Sequence, residues 1–190
     1  MKISGIIMAA GLSTRMGTNK LFLDFKGQDL YKHVLDLVGQ LDLDQVILVS
    51  SYEEILKEGQ ARAFTCVYNP NNQEGKAASI RLGVGQADPD SALMFFVADQ
   101  PLLGLETCQR LIRAFENKDL VTFPKTPKRK GSPVIFPKSY RQALLSLKKD
   151  QGGSAVFNDQ DGQSVLVENP EELWDIDSYD QYKSLKETYE

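Results

Sequence analysis

Ile3 to Lys20 reads ISGIIMAAGLSTRMGTNK, an apolar β-prone run (Ile3, Ile6, Ile7, Met8) that gives way to small residues and then to two cations. Such a run, bounded by Gly, predicts a buried strand leading into a loop. Ala9, Ala10, Gly11, Ser13 and Thr14 let a ligand come close to the main chain, and successive N–H groups there make a concavity for an anion. Arg15 adds a rigid fork for phosphate oxygens and Lys20 a mobile point charge, with Gly17 between them. The chemistry this pattern serves is the cradling of a polyphosphate at the end of a first strand. The spacing is neither GxxxxGK[ST] nor GxGxxG, so the loop is not one of the two commonest phosphate loops.

A second chemical residue stands at the end of the most apolar run, ALMFFVA (Ala92 to Ala98), which stops at Asp99-Gln100-Pro101. In an open α/β sheet ligands bind outside the carboxyl ends of the strands. If the two runs are parallel neighbours, Asp99 and the loop share one crevice. A carboxylate facing a triphosphate is repulsive without a cation between them. Mg²⁺ is the natural choice, since it takes one or two carboxylates plus phosphate oxygens. The alternative is that Asp99 only caps a turn.

The elements that must hold these residues follow from periodicity. Beyond the first strand, strands are predicted at Gln45 to Ser50, Arg62 to Tyr68, Ala92 to Ala98, Leu120 to Phe123, Val134 to Phe136, Ser164 to Val167 and Trp174 to Ile176. Helices are predicted after an Asp29 cap (Leu30, Val34, Leu37, Val38 and Leu41 on one face), at Tyr52 to Lys57, Gly75 to Gly85, Thr107 to Asn117 and Ser139 to Leu147. Ser178 with Gln181 makes a capping box for a last helix. Pro124 to Pro133 reads as a basic loop. Strands alternating with helices predict an α/β domain, three-layer αβα with a mostly parallel central sheet. One domain, residues 1–190, is expected, with a small excursion over about 120–165.

Composition narrows the rest. A net charge of −4 offers no basic footprint for nucleic acid. No run approaches the ~18 apolar residues of a membrane span, and the first residues lack a signal-peptide core, so a cytoplasmic protein is expected. Cys66 and Cys108 are far apart, form no CxxC with each other, and read as buried thiols in a reducing compartment. His33, the single histidine, reads as a structural helix residue.

Ala9-Ala10-Gly11, Ser13, Arg15-Met16-Gly17 and Lys20 together resemble the AAGxSxRMGxxK signature of the MobA-like nucleotidyltransferases. The resemblance continues in order along the chain and implies a Rossmann-like nucleotidyltransferase fold. It implies that Met8, Ala9, Ala10, Gly11, Ser13, Arg15, Gly17, Lys20, Asn69 and Ser79 bind the nucleotide, and that Arg15, Lys20 and Asp99 are catalytic. Asp99, in the DQP motif, is then a metal ligand, and Asp177, in Trp174-Asp175-Ile176-Asp177-Ser178, a possible second one or a helix-terminal anion. Gly131, Ser132 and Pro133 of GSPVIF, with Asp150 and Gly152 of KDQGGS, fall on the acceptor side. Two departures stand in that second segment: Lys149 replaces the family's glycine and Ser154 its arginine. Lys128, Arg129 and Lys130 are alternative cations for an acceptor phosphate.

Within the family, AAG with Asn19-Lys20 is similar to molybdenum cofactor cytidylyltransferases. That implies Mg²⁺ as cofactor, CTP as the NTP, molybdopterin or molybdenum cofactor as acceptor, and a molybdoenzyme or its chaperone as a further partner. Transfer to a sugar phosphate or alcohol phosphate, and a non-catalytic nucleotide- or cofactor-binding maturation protein, are the competing expectations.

Overall fold

A computed structural model describes residues 1–11 and 19–190. Nine strands are present among them: β1 (Ile3–Ala9), β2 (Asp24–Phe25), β3 (Gln28–Asp29), β4 (Gln45–Ser50), β5 (Thr65–Tyr68), β6 (Ala92–Val97), β7 (Thr122–Lys125), β8 (Val134–Phe136) and β9 (Gln163–Leu166). The helices are α1 (Leu30–Val38), α2 (Glu53–Ala61), α3 (Lys76–Gln86), α4 (Leu105–Lys118), α5 (Arg141–Leu145) and α6 (Tyr179–Tyr189).

Seven strands form one sheet in the order β5-β4-β1-β6-β8-β7-β9, and β2 and β3 make a separate hairpin. β1 pairs in parallel with β4 and β6, as β4 does with β5 and β7 with β9, while β8 runs antiparallel to both its neighbours. The central strands read as unbroken apolar runs because both of their faces are covered. Ile3, Ile7, Leu48, Met94 and Phe96 pack with α1, α2 and α4 through Tyr31, Val34, Val38, Ile55, Leu111 and Phe115. Ile6, Ile47, Val49, Leu93 and Phe95 pack on the other face with α3 and α5 through Ala77, Ile80, Val84 and Leu144. The architecture is a three-layer αβα fold with a mostly parallel sheet.

A third, smaller cluster joins Phe25 and Leu30 to Ile176 and Leu185. It seats α6 on the β2–β3 hairpin, helped by Tyr182, whose hydroxyl donates to the Asp24 carbonyl at 2.6 Å. His33 is structural here: its Nε2 donates to the Phe25 carbonyl at 2.9 Å, tying the hairpin to α1. The predicted capping box at Ser178 and Gln181 is present.

Several boundaries differ from the sequence reading, each for a local reason. Asp29 stands at the start of α1 but its side chain caps no N–H; it pairs with Lys32 at 3.3 Å instead. α1 ends at Val38, and Leu41 is buried beyond the helix. Arg62 to Phe64 are not strand, because Ala63 takes φ 58° to turn the chain after α2. Pro124 lies inside β7, not in a loop. Its carbonyl accepts from Gly131 at 3.1 Å, and its missing N–H faces that same side, where the β8 ladder has ended. Ser139 to Leu147 yields only the short α5 after a 3₁₀ turn at Lys138–Tyr140. Trp174 to Ile176 is extended but joins no sheet; a 3₁₀ turn at Pro170–Leu173 delivers it to the end of β6.

Candidate active site

Because β1 and β6 are parallel neighbours, their carboxyl ends open into the same space. The loop after β1 is anchored where it leaves the sheet: Ser50 Oγ donates to the Ala9 carbonyl at 2.9 Å and the Tyr52 hydroxyl to the Gly11 carbonyl at 3.0 Å. The Asn19 side chain accepts from Leu21 N–H at 3.2 Å, with Leu21 buried. Lys20 therefore starts from a fixed backbone.

On the β6 side two contacts bring the C-terminal segment alongside. Ile176 N–H donates to the Asp99 carbonyl at 3.1 Å, and the buried Gln100 amide donates to the Leu173 carbonyl at 3.3 Å. Side chains alternate along an extended segment. Ile176 points into the small core with Phe25 and Leu185, so Asp175 and Asp177 both face the cleft.

The charged centre follows from this stitching. The Lys20 ammonium lies 2.6 Å from Asp99 Oδ2 and 2.8 Å from Asp177 Oδ1. The Lys20 and Asp99 side chains are only 13% and 18% exposed, so water screens this pair weakly. Burial alone would lower the Lys20 pKa; the two carboxylates outweigh it and hold it above its ordinary value. Burial, with the Asp99 charge adding to it, pushes the Asp175 carboxyl up to about 6. Arg129 partly offsets that from 4.0 Å away. Among the described residues, Lys20 thus meets Asp99 and Asp177 directly, with Asp175 beside them paired to Arg129.

These groups line a cleft of about 570 Å³. Of the residues expected at the site, Met8, Ala10, Gly11, Lys20, Ser79, Asp99, Ser132, Asp150 and Asp177 line it. Asn69 does not: it is fully buried, donating to Ser79 Oγ at 3.0 Å and accepting from Asn71 N–H at 2.9 Å. Ala9 and Pro133 are buried in the walls, Gly131 packs against Leu173, and Gly152 stands outside the lining. Ser13, Arg15 and Gly17 lie outside the described residues. Of the basic run, Arg129 reaches the acidic cluster, whereas Lys130 pairs with Asp159.

Sequence reasoning did not give Asp175 a role, although the alternation in Asp175-Ile176-Asp177 was its signal. It also passed over Lys76 and Gln73, brought to the cleft by the turn before α3. Gly75 allows that turn. It has φ 90°, and a Cβ there would meet the Lys149 carbonyl at 2.7 Å. The same approach lets Ala77 N–H donate to the Lys149 carbonyl at 3.0 Å, placing Asp150 across from Ser79.

The donor set suits a hard cation. Asp99, Asp175 and Asp177 offer only oxygen, and the Lys20 ammonium already marks a cation position between two of them. Among the described residues no three acidic, His or Cys side chains close into a metal cage. Mg²⁺ does not need one, since it keeps waters and shares one or two carboxylates with substrate phosphates.

The family pattern of the MobA-like NTP transferase domain matches residues 5–165. The chain belongs to the MobA-like NTP transferases. This match ends before Asp175 and Asp177. The MobA-like chain is 28% identical to the purine catabolism protein PucB of Bacillus subtilis (strain 168), over 96% of this chain and 95% of that protein. It is 23% identical to nicotine blue oxidoreductase of Paenarthrobacter nicotinovorans, over 82% and 80%. It is 26% identical to molybdenum cofactor cytidylyltransferase of Escherichia coli (strain K12), over 98% and 97%. Among solved structures, Rv0371c of Mycobacterium tuberculosis H37Rv superposes with a TM-score of 0.85 at 24% identity, over 98% of each chain. A further structure of Rv0371c is a manganese complex, with a TM-score of 0.80 at 21% identity over 99% of this chain and 100% of that one. These likenesses show that the nucleotidyltransferase fold is shared.

Proposed function

We propose that this MobA-like NTP transferase moves CMP from CTP onto a phosphate of molybdopterin or the molybdenum cofactor, releasing pyrophosphate, in the cytoplasm. The observation that carries the reading is the meeting of Lys20 with Asp99 and Asp177 at the carboxyl ends of β1 and β6, beside the Gly11 loop. The relationship to the cytidylyltransferase of Escherichia coli supports the choice of nucleotide and acceptor.

In this reading an acceptor phosphate oxygen attacks the α-phosphorus. The new O–P bond forms as the bond from Pα to the bridging oxygen breaks, and the electron pair leaves with pyrophosphate. The attacking oxygen is already anionic, so no general base is required. The work of the protein is positioning and charge stabilisation. The main chain at Ala10 and Gly11 takes the triphosphate, with Lys20 and Arg15. Ser79 donates its hydroxyl to a nucleotide or acceptor oxygen. Ser132 and Asp150 on the facing wall orient the acceptor. Asp99 and Asp177 would hold Mg²⁺, whose bound chemistry is to screen the triphosphate and polarise the α-phosphate. A molybdoenzyme or its chaperone would receive the product.

One observation favours a second reading in which the acceptor differs. Ser154, exposed in a 3₁₀ turn, stands where the family has its arginine and carries no charge, so that cation is missing from its place beside the acceptor. A sugar phosphate or other alcohol phosphate would then take the place of molybdopterin. Pyrophosphate release, measured for each NTP against molybdopterin and a set of sugar phosphates, tests both readings. Release with CTP and molybdopterin alone supports the first. Binding of CTP with Mg²⁺ but no release with any acceptor would overturn both and favour a nucleotide-binding maturation protein.

A further inference from the structure

We propose that the Lys20 ammonium holds the position of the divalent ion between Asp99 and Asp177 until nucleotide arrives, so that the ion enters with the triphosphate and not ahead of it. The inference rests on the nucleotide-binding reading above and specifies the order of events at that same site.

The ammonium contacts one oxygen of each carboxylate, at 2.6 and 2.8 Å. A Mg²⁺ ion would need such oxygens at about 2.0–2.1 Å, in the space the ammonium now fills. Both cations cannot share it, and the burial of Lys20 and Asp99 leaves their repulsion poorly screened. The backbone of Lys20 is not free to retreat. Asn19 caps the turn that follows, and Leu21 is buried beside it. Its four-carbon stem is flexible, however, and can carry the charge elsewhere by side-chain rotation alone.

The triphosphate supplies the destination. Its oxygens draw the ammonium off the carboxylates while the accompanying ion takes its place, so neither Asp99 nor Asp177 loses this cationic partner without gaining another. Free divalent ion, arriving alone, offers the ammonium no new anion and must expel it into the cleft. Lys20 is then both a phosphate grip and a gate against unproductive metal binding.

The test is a titration of the full chain with Mn²⁺ alone, followed by electron paramagnetic resonance, with and without CTP. Without nucleotide, Lys20→Met should bind Mn²⁺ about tenfold or more tightly than wild type, because the competing charge is gone. With CTP present the order should reverse, the variant binding Mn²⁺ and CTP together less tightly than wild type. Lys20→Arg should keep the wild-type resistance to free Mn²⁺, and Asp99→Asn added to Lys20→Met should remove the gain. Lys20→Gln replaces Lys20→Met if the latter does not melt cooperatively. Wild type that binds Mn²⁺ with CTP, beside a Lys20→Met chain that binds free Mn²⁺ no better, would overturn the inference and leave the nucleotide reading standing. Wild type that binds no CTP with metal would overturn that reading, and the inference with it.

Discussion

Ile176 donates its backbone N–H to the carbonyl of Asp99 at 3.1 Å, so the C-terminal segment runs beside the end of β6. Through that bond a carboxylate from the centre of the sheet and two from the far end of the chain come to face one lysine. The site is therefore assembled from three distant pieces, and its failure modes are separable.

Lys20→Ala and Asp99→Ala should each abolish transfer while leaving the fold intact. Loss of one preorganised charge contact costs on the order of 3 kcal/mol in the barrier, or about a hundredfold in rate. Pyrophosphate release together with a thermal melt checks both halves of the statement. Near-normal turnover by either purified variant counts against the mechanism.

Gly75→Ala should damage stability and nucleotide binding together. The residue has φ 90°, and the added Cβ would run into the Asp150 carboxylate and the Lys149 carbonyl. A strained backbone of this kind costs about 2 kcal/mol. In a chain of this size that lowers Tm by roughly 5 °C. A wild-type Tm and an unchanged affinity for CTP with Mg²⁺ would show that the turn before α3 does not shape the cleft.

Asn69→Ala should behave as a core lesion. Its amide spans Ser79 Oγ and Asn71 N–H with no exposure to solvent. Leaving those groups unpaired costs about 2 kcal/mol. Denaturant unfolding should show the loss in the midpoint, with an unchanged slope. A stable variant that has lost CTP affinity would instead assign Asn69 a direct contact with the nucleotide.

The two thiols should react unequally. Burial pushes the Cys108 thiol far above its ordinary range, with Glu172 adding to it, and Cys108 is fully buried. Burial also raises Cys66, whose Sγ donates to the Leu56 carbonyl at 3.3 Å, though it is only partly buried. A thiol reagent at neutral pH, read by mass spectrometry, should modify Cys66 slowly and Cys108 only on unfolding. Fast labelling of Cys108 in the native chain would mean that α4 opens locally.

Much of this was legible in the sequence, for physical reasons. β1, β4 and β6 are buried on both faces, so they read as continuous apolar runs, and the crevice at their carboxyl ends follows from parallel order. Asp99 was found because it terminates such a run. Asp175 was missed because its place depends on Gln100 and the Asp99 carbonyl, contacts with residues more than 70 positions earlier in the chain. The same holds for the short elements. β2 and β3 are two residues each and exist because Phe25 and Leu30 pack on α6. Pro124 argues against a strand until the neighbouring ladder is seen to stop. Trp174 to Ile176 has the composition of a strand, but one backbone bond to Asp99 replaces a pairing partner.

All of this requires that one cation position, bounded by Asp99 and Asp177, serve the nucleotide. A crystal grown with CTP and Mn²⁺, measured for anomalous scattering of manganese, tests it most directly. Manganese should appear bonded to Asp99 and to triphosphate oxygens, with the Lys20 ammonium moved from the carboxylates to the phosphates. A triphosphate bound with its metal away from Asp99, and Lys20 still seated between the two aspartates, would contradict it.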